Sequence, residues 1–307
     1  MSLMYYNIKV TTLVVGMFTI CAGSTLNLNE RAVGTAYSLS EQNILLEQHN
    51  SYRSSVSPRA VSMNELVWDS TLATQAQTWV DMCLFSHPDD EVYTDYAGIG
   101  QNLYIQYPDS TGQRPPSPVN KPLTLWYSEV HNYTYNSNSC QYKAVCGHYT
   151  QIIWADTTKV GCGIKFCQKL SLDDGSSIDN AWLVGCNYSP GGNVLGQKPY
   201  VEGNDCSACS SGLFCKNKLC SNCNPGVDGC ECKLECQNCG TVNTTTCSCE
   251  CPIGYFGIFC ESYCEDTHKY CGANPGWPVD WCGDYWFMDQ YCPLMCGDCT
   301  GGPLVSC

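Results

Sequence analysis

The sequence has 307 residues, 27 of them cysteine, and a formal net charge of −14 at pH 7. A cysteine content of about one in eleven residues indicates a disulfide framework in an oxidising compartment, or metal ligands in a reducing one. Nucleic acids and anionic membrane surfaces bind clustered Lys and Arg, and the sequence has no such cluster. Composition therefore argues against both as partners.

The N-terminal residues have the pattern of a secretory signal peptide. Lys9 precedes an apolar run over residues 10–20, and the small residues at positions 22–24 follow. The run is too short to span a bilayer, and no later stretch reaches about 18 apolar residues. We expect a signal peptide over residues 1–23, an N-terminal segment over 24–39, and a secreted, extracellular protein without a membrane span. An N-terminal anchor helix is the alternative.

The cysteines are unevenly distributed, and this predicts the division into domains. Residues 24–200 contain six cysteines, whereas residues 206–307 contain twenty. The first part is long enough to form an ordinary hydrophobic core, and the second part must be held by disulfides. The Pro- and Gly-rich residues 190–199 predict a linker between them.

Three helices are predicted in the first part. Ser40 is a candidate N-cap for a helix over residues 41–50, and Asp69 or Ser70 for a second. Pro122 is suited to the beginning of a third helix. Glu129 lies at the margin of the apolar face of that helix, which indicates a carboxylate that is partly buried or has a function.

After these helices, side chains alternate with a period of two. The pattern predicts strands over residues 148–154, 160–166 and 181–188, with a turn at 173–175. Helices before and between hairpin-like strands indicate a mixed sheet covered on its faces.

Two stretches resemble the paired signatures of the CAP superfamily, the secreted fold of cysteine-rich secretory proteins, antigen 5 and pathogenesis-related proteins. They are residues 147–154, which begin Gly-His-Tyr-Thr-Gln, and residues 183–194, which include Gly-Cys-Asn-Tyr-Ser. His49, Asn50 and Arg53 are similar to the helix motif of the family, and residues 100–103 to its Gly-Glu/Gln-Asn-Leu turn. The resemblance implies an α+β fold, a three-layer α-β-α sandwich with a mainly antiparallel sheet, over residues 40–200.

The resemblance also implies a cleft lined by two histidines and two acidic or amide residues, namely His87, His148, Glu129 and Gln101. In some CAP proteins the corresponding side chains hold a divalent metal. Imidazole and carboxylate ligands suit zinc. Since Gln101 stands where many relatives have Glu, we expect Zn²⁺ to bind more weakly here. A cleft without metal is the alternative.

A hydrolase would need a Ser or Cys within hydrogen-bond reach of an imidazole. The sequence has no Gly-x-Ser-x-Gly motif, and no motif places Ser86 or Ser128. A metal-bound water with Glu129 as base is the other route to hydrolysis. We therefore expect a binding protein rather than an enzyme, with a metal-dependent or serine hydrolase as the alternative.

The resemblance implies three disulfides in this domain: Cys83–Cys167, Cys162–Cys186 and Cys140–Cys146. Sequons at Asn132 and Asn243 predict N-glycosylation. The sequon at Asn187 lies in the second signature, and we expect it to be too buried for glycosylation.

The cysteine-rich part resembles three modules followed by a C-terminal tail. They are a hinge over residues 201–226, an EGF-like module over 227–261, a ShK-toxin-like domain over 264–299, and the tail over 300–307. Residues 206–260 contain an odd number of cysteines. Cys307 therefore pairs with the odd one or links two chains.

Some ShK-type toxins block potassium channels through a lysine. The corresponding loop here, residues 283–291, has two aspartates and no lysine. The loop therefore argues against channel block, and a venom-type ion-channel modulator is only our third candidate function. We interpret the aromatic side chains of the loop, with Trp277 and Trp281, as a packing or protein-contact surface.

The leading hypothesis is a secreted multidomain protein that acts mainly by binding an extracellular protein partner. The family resemblance adds lipids or sterols to the candidate ligands.

Overall fold

The computed structural model describes residues 36–107, 118–227, 229–273 and 275–304. The signal peptide expected over residues 1–23 lies outside these ranges, as do Cys307 and the disulfide proposed for it. Within the described ranges, no helix has both the length and the apolar character needed to cross a membrane.

Residues 36–200 form the larger part of the described chain. Their helices are α1 (Leu39–Ser54), α2 (Ser70–Asp81), α3 (Asn120–Ser128) and α4 (Gly147–Ile152), with 3-10 turns at Thr94–Tyr96 and Glu129–Asn132. Their strands are β1 (Val67–Trp68), β2 (Leu84–Phe85), β3 (Gly100–Gln106), β4 (Tyr133–Thr134), β5 (Ser139–Cys140), β6 (Lys159–Leu172) and β7 (Ser177–Ser189).

The main sheet is built around the antiparallel pair of β6 and β7, and β3 pairs antiparallel with the outer side of β7. The short β1 and β2 pair parallel with β6. The predicted turn at 173–175 joins β6 to β7, with Gly175 at a φ of +82° that favours glycine. The two strands include the residues predicted for them and extend beyond them.

Both faces of this sheet are covered, and the alternation along β7 shows how. Its even-numbered residues from Trp182 to Tyr188 lie in a core with Leu45 of α1, Leu123 of α3 and Ile152 of α4. Its odd-numbered residues Ala181 and Leu183 pack with Val80 of α2. The fold is therefore the α-β-α sandwich that the resemblance implied, with α2 forming one outer layer.

Helix α2 lies so close to β6 that two positions of the strand require glycine. A Cβ on Gly161 would lie 2.1 Å from the backbone nitrogen of Ala73, and a Cβ on Gly163 would lie 2.6 Å from the Cα of Gln77. Larger residues at these positions would force the helix away from the sheet.

The beginning of α1 differs from the prediction. Ser38, and not Ser40, is the N-cap, because Ser38 and Glu41 form a reciprocal capping box. Of the two predicted candidates, Asp69 and not Ser70 caps α2, by accepting hydrogen bonds from the backbone N–H groups of Thr71 and Leu72.

The strand predicted over residues 148–154 is wrong, because this stretch contains helix α4. Its β-branched residues Thr150, Ile152 and Ile153 favour a strand locally. Six residues alone would also make a marginal helix. The contacts that favour the helix come from distant side chains, which a local pattern does not contain.

Arg53 of α1 binds the C-terminal end of α4. It is fully buried, and its guanidinium donates six hydrogen bonds, all to backbone carbonyls. Two of the acceptors are the carbonyls of Ile152 and Trp154, at 2.9 and 2.7 Å. A cation at a helix C-terminus also interacts favourably with the helix dipole.

Residues 100–103, expected to form a turn, begin strand β3 instead. Gln101 and Asn102 lie opposite Asn187 and Cys186 of β7 in the ladder. The close approach of α4 explains Gly100, since a Cβ there would lie 2.0 Å from Oε1 of Gln151.

The predicted linker over residues 190–199 is hydrogen-bonded to the sandwich. Gly191 donates to the carbonyl of Gly98, and Pro199 accepts from the backbone N–H of Ala155. This stretch packs against the end of α4 before the chain enters the cysteine-rich part.

The cysteine-rich part consists of short elements joined by disulfides. They are β8 (Phe214–Lys216), β9 (Leu219–Ser221), β10 (Thr241–Asn243), β11 (Ser248–Glu250), β12 (Tyr255–Phe256), β13 (Ser262–Tyr263), a 3-10 turn at Val279–Trp281, α5 (Trp286–Tyr291) and α6 (Pro293–Cys296). Its disulfides include Cys206–Cys215, Cys209–Cys220, Cys223–Cys230, Cys232–Cys247, Cys236–Cys249, Cys251–Cys260, Cys264–Cys299, Cys271–Cys292 and Cys282–Cys296. Cys239 is also disulfide-bonded.

A buried polar chain runs through the core of the sandwich. His49 lies 2.7 Å from the carbonyl of Leu45 through Nδ1, which must therefore carry the proton. Nε2 of His49 then accepts a hydrogen bond from the hydroxyl of Tyr188 at 2.9 Å. Asn102 donates both to this hydroxyl and to the backbone carbonyl of His148. The chain thus connects the core to α4.

The burial of His49 makes the stability of the fold depend on pH. Burial lowers the pKa of His49 to about 4, from an ordinary value of 6.5. Between these values the unfolded chain binds a proton that the folded chain does not, so stability falls as pH decreases from about 7 to 4. We expect His49 to account for about 3 kcal/mol of that decrease.

The measurement is urea unfolding of the disulfide-bonded protein across this pH range. We expect a flatter pH dependence for His49→Gln than for the unsubstituted protein, whatever the absolute stability of the variant. Exposed His131 provides the matched control, His131→Gln, which should keep the original slope. Equal slopes for all three proteins would contradict the assignment to His49.

Candidate functional site

His148 lies at the N-terminal end of α4, beside the carboxylate of Glu129. Oε1 of Glu129 lies 2.6 Å from Nδ1 of His148, and Oε2 accepts hydrogen bonds from the backbone N–H groups of His148 and Tyr149. One carboxylate therefore satisfies two free donors at the beginning of α4 and also holds the imidazole. The carboxylate accepts from Nδ1–H, so in the neutral form of His148 the lone pair lies on Nε2.

The surroundings of His148 limit its movement. The buried indole of Trp126 stacks on the imidazole, with ring centroids 5.9 Å apart and planes 16° apart. The His148 side chain is 27% exposed and that of Glu129 is 14% exposed. The imidazole is thus held on one side and open to solvent on the other.

His87 has a separate partner. It is exposed and follows β2, six residues beyond the end of α2. Nδ1 of His87 lies 3.1 Å from Oε1 of Gln101. A chain of amides continues from there. Gln101 donates to Asn187 at 3.0 Å, Asn187 donates to Gln75 at 3.0 Å, and Gln75 donates to the backbone carbonyl of Asp95 at 2.6 Å.

This amide chain determines which ring nitrogen of His87 carries a proton. The carbonyl of Asp95 only accepts, so Gln75 must present its NH₂ group to it and its oxygen to Asn187. The same reasoning applies to Asn187 and then to Gln101, whose oxygen faces His87. Nδ1 of His87 must therefore donate, and Nε2 keeps its lone pair.

The two histidines are held on opposite faces of β3. Successive strand residues point to opposite sides of a sheet. Gln101 faces α2 and binds the side chain of His87, whereas Asn102 faces α1 and binds the main chain of His148. Since β3 is an edge strand, both histidines lie where the sheet ends. The four predicted cleft residues are therefore present as two pairs.

This arrangement suits a metal in part. Zinc-binding histidines commonly donate their second ring N–H to an oxygen, and both histidines here do so. Gln101 and Glu129 supply the oxygen atoms that accept from these ring N–H groups. His87, Glu129 and His148 do not place three ligand atoms within 4.8 Å of one another. The described chain has one such cluster, Asp289, Cys296 and Asp298, and its cysteine is in a disulfide. The donor chemistry of the two imidazoles suits zinc, and Glu129 and Gln101 serve as the acceptors of their Nδ1 atoms.

Among the described residues, neither imidazole is hydrogen-bonded to a hydroxyl or a thiol. The hydroxyl of Ser128 donates to the carbonyl of Leu125 within α3 instead. Every described cysteine is disulfide-bonded. The His148–Glu129 pair resembles the base half of a hydrolytic triad, without a nucleophile in contact with it in this part of the chain.

Sequence reasoning missed three residues that position the histidines: Trp126, Asn187 and Gln75. Asn187 is fully buried between β3 and α2, in agreement with the expectation that its sequon is inaccessible. Its place inside the second signature was the signal available for it. Gln75 carried no signal, because its role depends on how α2 packs against the sheet.

Three disulfides stabilise the sandwich: Cys83–Cys167, Cys140–Cys146 and Cys162–Cys186. These are the pairs that the family resemblance implied. The second closes a loop directly before α4, so it restrains the approach to His148.

A disulfide-bonded α-β-α sandwich with two histidines at one sheet edge defines the class of protein. The model of the cysteine-rich secretory protein family, CAP, matches residues 46–188. The chain is 38% identical over 209 residues to peptidase inhibitor 16 of Bos taurus, which covers 67% of this chain and 42% of that protein. It is 37% identical over 180 residues to GLIPR1-like protein 1 of Homo sapiens, covering 57% of this chain and 69% of that one.

The solved structure of Na-ASP-1 is similar over 61% of this chain and 48% of its own, with 27% identity and a TM-score of 0.50. The chain thus spans about two fifths of peptidase inhibitor 16 and about two thirds of GLIPR1-like protein 1. It belongs to the cysteine-rich secretory protein (CAP) family.

The amide chain predicts the tautomer of His87. In the unsubstituted protein above pH 8, we expect His87 to carry its proton on Nδ1. In Gln101→Met the acceptor is absent, and we expect a mixture of both tautomers. The ¹⁵N chemical shifts of the ring nitrogens distinguish the two forms in protein labelled at histidine.

His148 is an internal control in the same spectra, because Glu129 holds its Nδ1 proton independently of Gln101. A His87 signal that stays unchanged in Gln101→Met would show that the amide chain does not determine the tautomer.

Proposed function

We propose that this protein acts outside the cell as a binding protein, and that its CAP-domain cleft holds a divalent metal, with zinc preferred, through Nε2 of His87 and of His148. The observation that carries this proposal is the pair of imidazoles whose Nδ1 protons are both taken by oxygen acceptors. Two neutral imidazoles with free Nε2 lone pairs are suited to zinc.

The extracellular location is supported by the disulfides. The part of the chain that the structure describes contains a dozen disulfides with both cysteines described, from Cys83–Cys167 to Cys282–Cys296. Such a framework persists in oxidising compartments and not in the cytosol. A secreted protein partner, rather than nucleic acid, suits the net charge of −14.

In this proposal Glu129 and Gln101 act through the histidines. The carboxylate of Glu129 raises the ligand strength of His148 through its bond to Nδ1, while the amide of Gln101 gives His87 a weaker acceptor. A bound metal would supply a Lewis acid with positions free for water or a ligand group. We expect weaker zinc binding than in a relative with two carboxylates.

Isothermal titration with zinc tests this proposal on the full chain. We expect His148→Ala to abolish binding at the cleft. In Glu129→Gln the amide oxygen can still accept from the backbone, which leaves the NH₂ group facing Nδ1 of His148. The proton of His148 then moves to Nε2 and blocks the ligand atom, so we expect affinity to fall about 10- to 100-fold.

The matched control is His131→Ala, which removes an exposed histidine that lies outside the pairs. Isotherms that are the same for His131→Ala and His148→Ala would contradict the metal site. Cleavage of a peptide library that disappears in His148→Ala would replace the binding function with a hydrolytic one.

A further inference from the structure

The module over residues 264–304 carries a group of aromatic rings at its surface. We call Trp281, Tyr285, Trp286 and Phe287 the aromatic face. The ring centroids lie 5.1 Å apart for Trp281 and Tyr285, 5.6 Å for Tyr285 and Phe287, and 6.2 Å for Trp286 and Phe287. Phe287 also contacts Trp277, with ring centroids 5.0 Å apart. The rings therefore form one continuous surface.

Two rings of this surface are exposed to solvent, and Trp281 and Phe287 are half-buried. Trp286 is 73% exposed and Tyr285 is 47% exposed. Met288, on the other side of α5, is fully buried. A group of exposed large aromatic rings is the usual composition of a binding surface and is uncommon elsewhere on a monomer.

Disulfides and buried contacts hold the aromatic face in place. Cys282–Cys296 joins the loop before α5 to α6, and Cys271–Cys292 joins the end of α5 to an earlier loop. Rings that are already fixed lose little conformational entropy when a partner binds. The face is thus organised before binding.

The charged side chains of this module are mostly acidic. The described residues of the module include one lysine, Lys269, and six acidic residues: Glu265, Asp266, Asp280, Asp284, Asp289 and Asp298. Asp280, Asp284 and Asp289 alternate with the rings along the chain and are exposed. Among the described residues none of these three forms an ion pair.

We infer that the aromatic face binds an arginine- or lysine-rich segment of an extracellular protein. A cation placed over an indole or phenol ring is attracted by its electron-rich face, and a guanidinium also pairs with carboxylates. The face offers both groups, since exposed Asp284 lies two residues before exposed Trp286 in the chain. Arginine suits it best, because a planar guanidinium both stacks on aromatic rings and pairs with carboxylates.

Charge also favours a basic segment over other molecules that the aromatic face could bind. A second copy of this chain carries a net charge of −14 and would be repelled by the aspartates. Phosphate and sulfate groups of anionic lipids or glycans would be repelled in the same way. A neutral glycan could stack on the rings without using the carboxylates.

The test uses the full chain and a twelve-residue peptide of alternating Arg and Ser, immobilised on a biosensor surface. We expect the protein to bind it, and both Trp286→Ala and Asp284→Asn to weaken the affinity by about 3- to 30-fold each. Both positions are exposed, so the fold should be retained.

Two matched variants control for exposure and for overall charge. Tyr142→Ala removes a ring that is 87% exposed but lies beside Lys143. Asp90→Asn removes one exposed carboxylate from the CAP domain. We expect both to bind the peptide like the unsubstituted protein. Equal losses in all four variants would show general attraction to an acidic protein and overturn the inference.

Binding of chitotetraose that is lost in Trp286→Ala, without binding of the peptide, would also overturn it in favour of a neutral glycan. The inference does not depend on the proposed metal site, because the protein should bind the peptide equally with and without EDTA. Failure of one can therefore be distinguished from failure of the other.

Discussion

Helix α4 is held at both ends by ionised side chains from other helices, and the site depends on this. The carboxylate of Glu129 accepts from the N-terminal N–H groups of α4, and the guanidinium of Arg53 donates to the carbonyls at its C-terminal end. Each charge has the sign that the helix dipole favours at that end. Six residues that would not form a stable helix alone are therefore helical here.

The same two side chains link the fold to its function. Glu129 also holds the imidazole of His148. The side chain that caps α4 therefore also determines which ring nitrogen of His148, the candidate ligand, carries the proton. Arg53 is buried among carbonyls of two segments of the chain, at Asn64 and over residues 152–157. A substitution that removes the Arg53 guanidinium leaves these buried carbonyls unpaired, which typically costs several kcal/mol of folding stability. The position of His148 is thus fixed as tightly as the residues of the core.

Strand β3 organises the other half of the site. Its position at the sheet edge lets adjacent residues serve different histidines, Gln101 on one face and Asn102 on the other. A chain of amides fixes the direction of each hydrogen bond along it, since each amide has one accepting and one donating end. The cysteine-rich part is stabilised differently, because disulfides rather than an apolar core hold its aromatic rings at the surface.

The sequence alone determined the fold family and the two central strands, and it narrowed the cap of α2 to Asp69 or Ser70, because these depend on motifs and local periodicity. It predicted a strand where α4 lies and a turn where β3 begins. In both places the deciding contacts join residues far apart in the chain, such as Arg53 with Trp154 and Gln101 with Asn187. Only the tertiary structure decided that Glu129 and Gln101 hold the histidines, since which acceptor meets which ring nitrogen depends on how the layers pack.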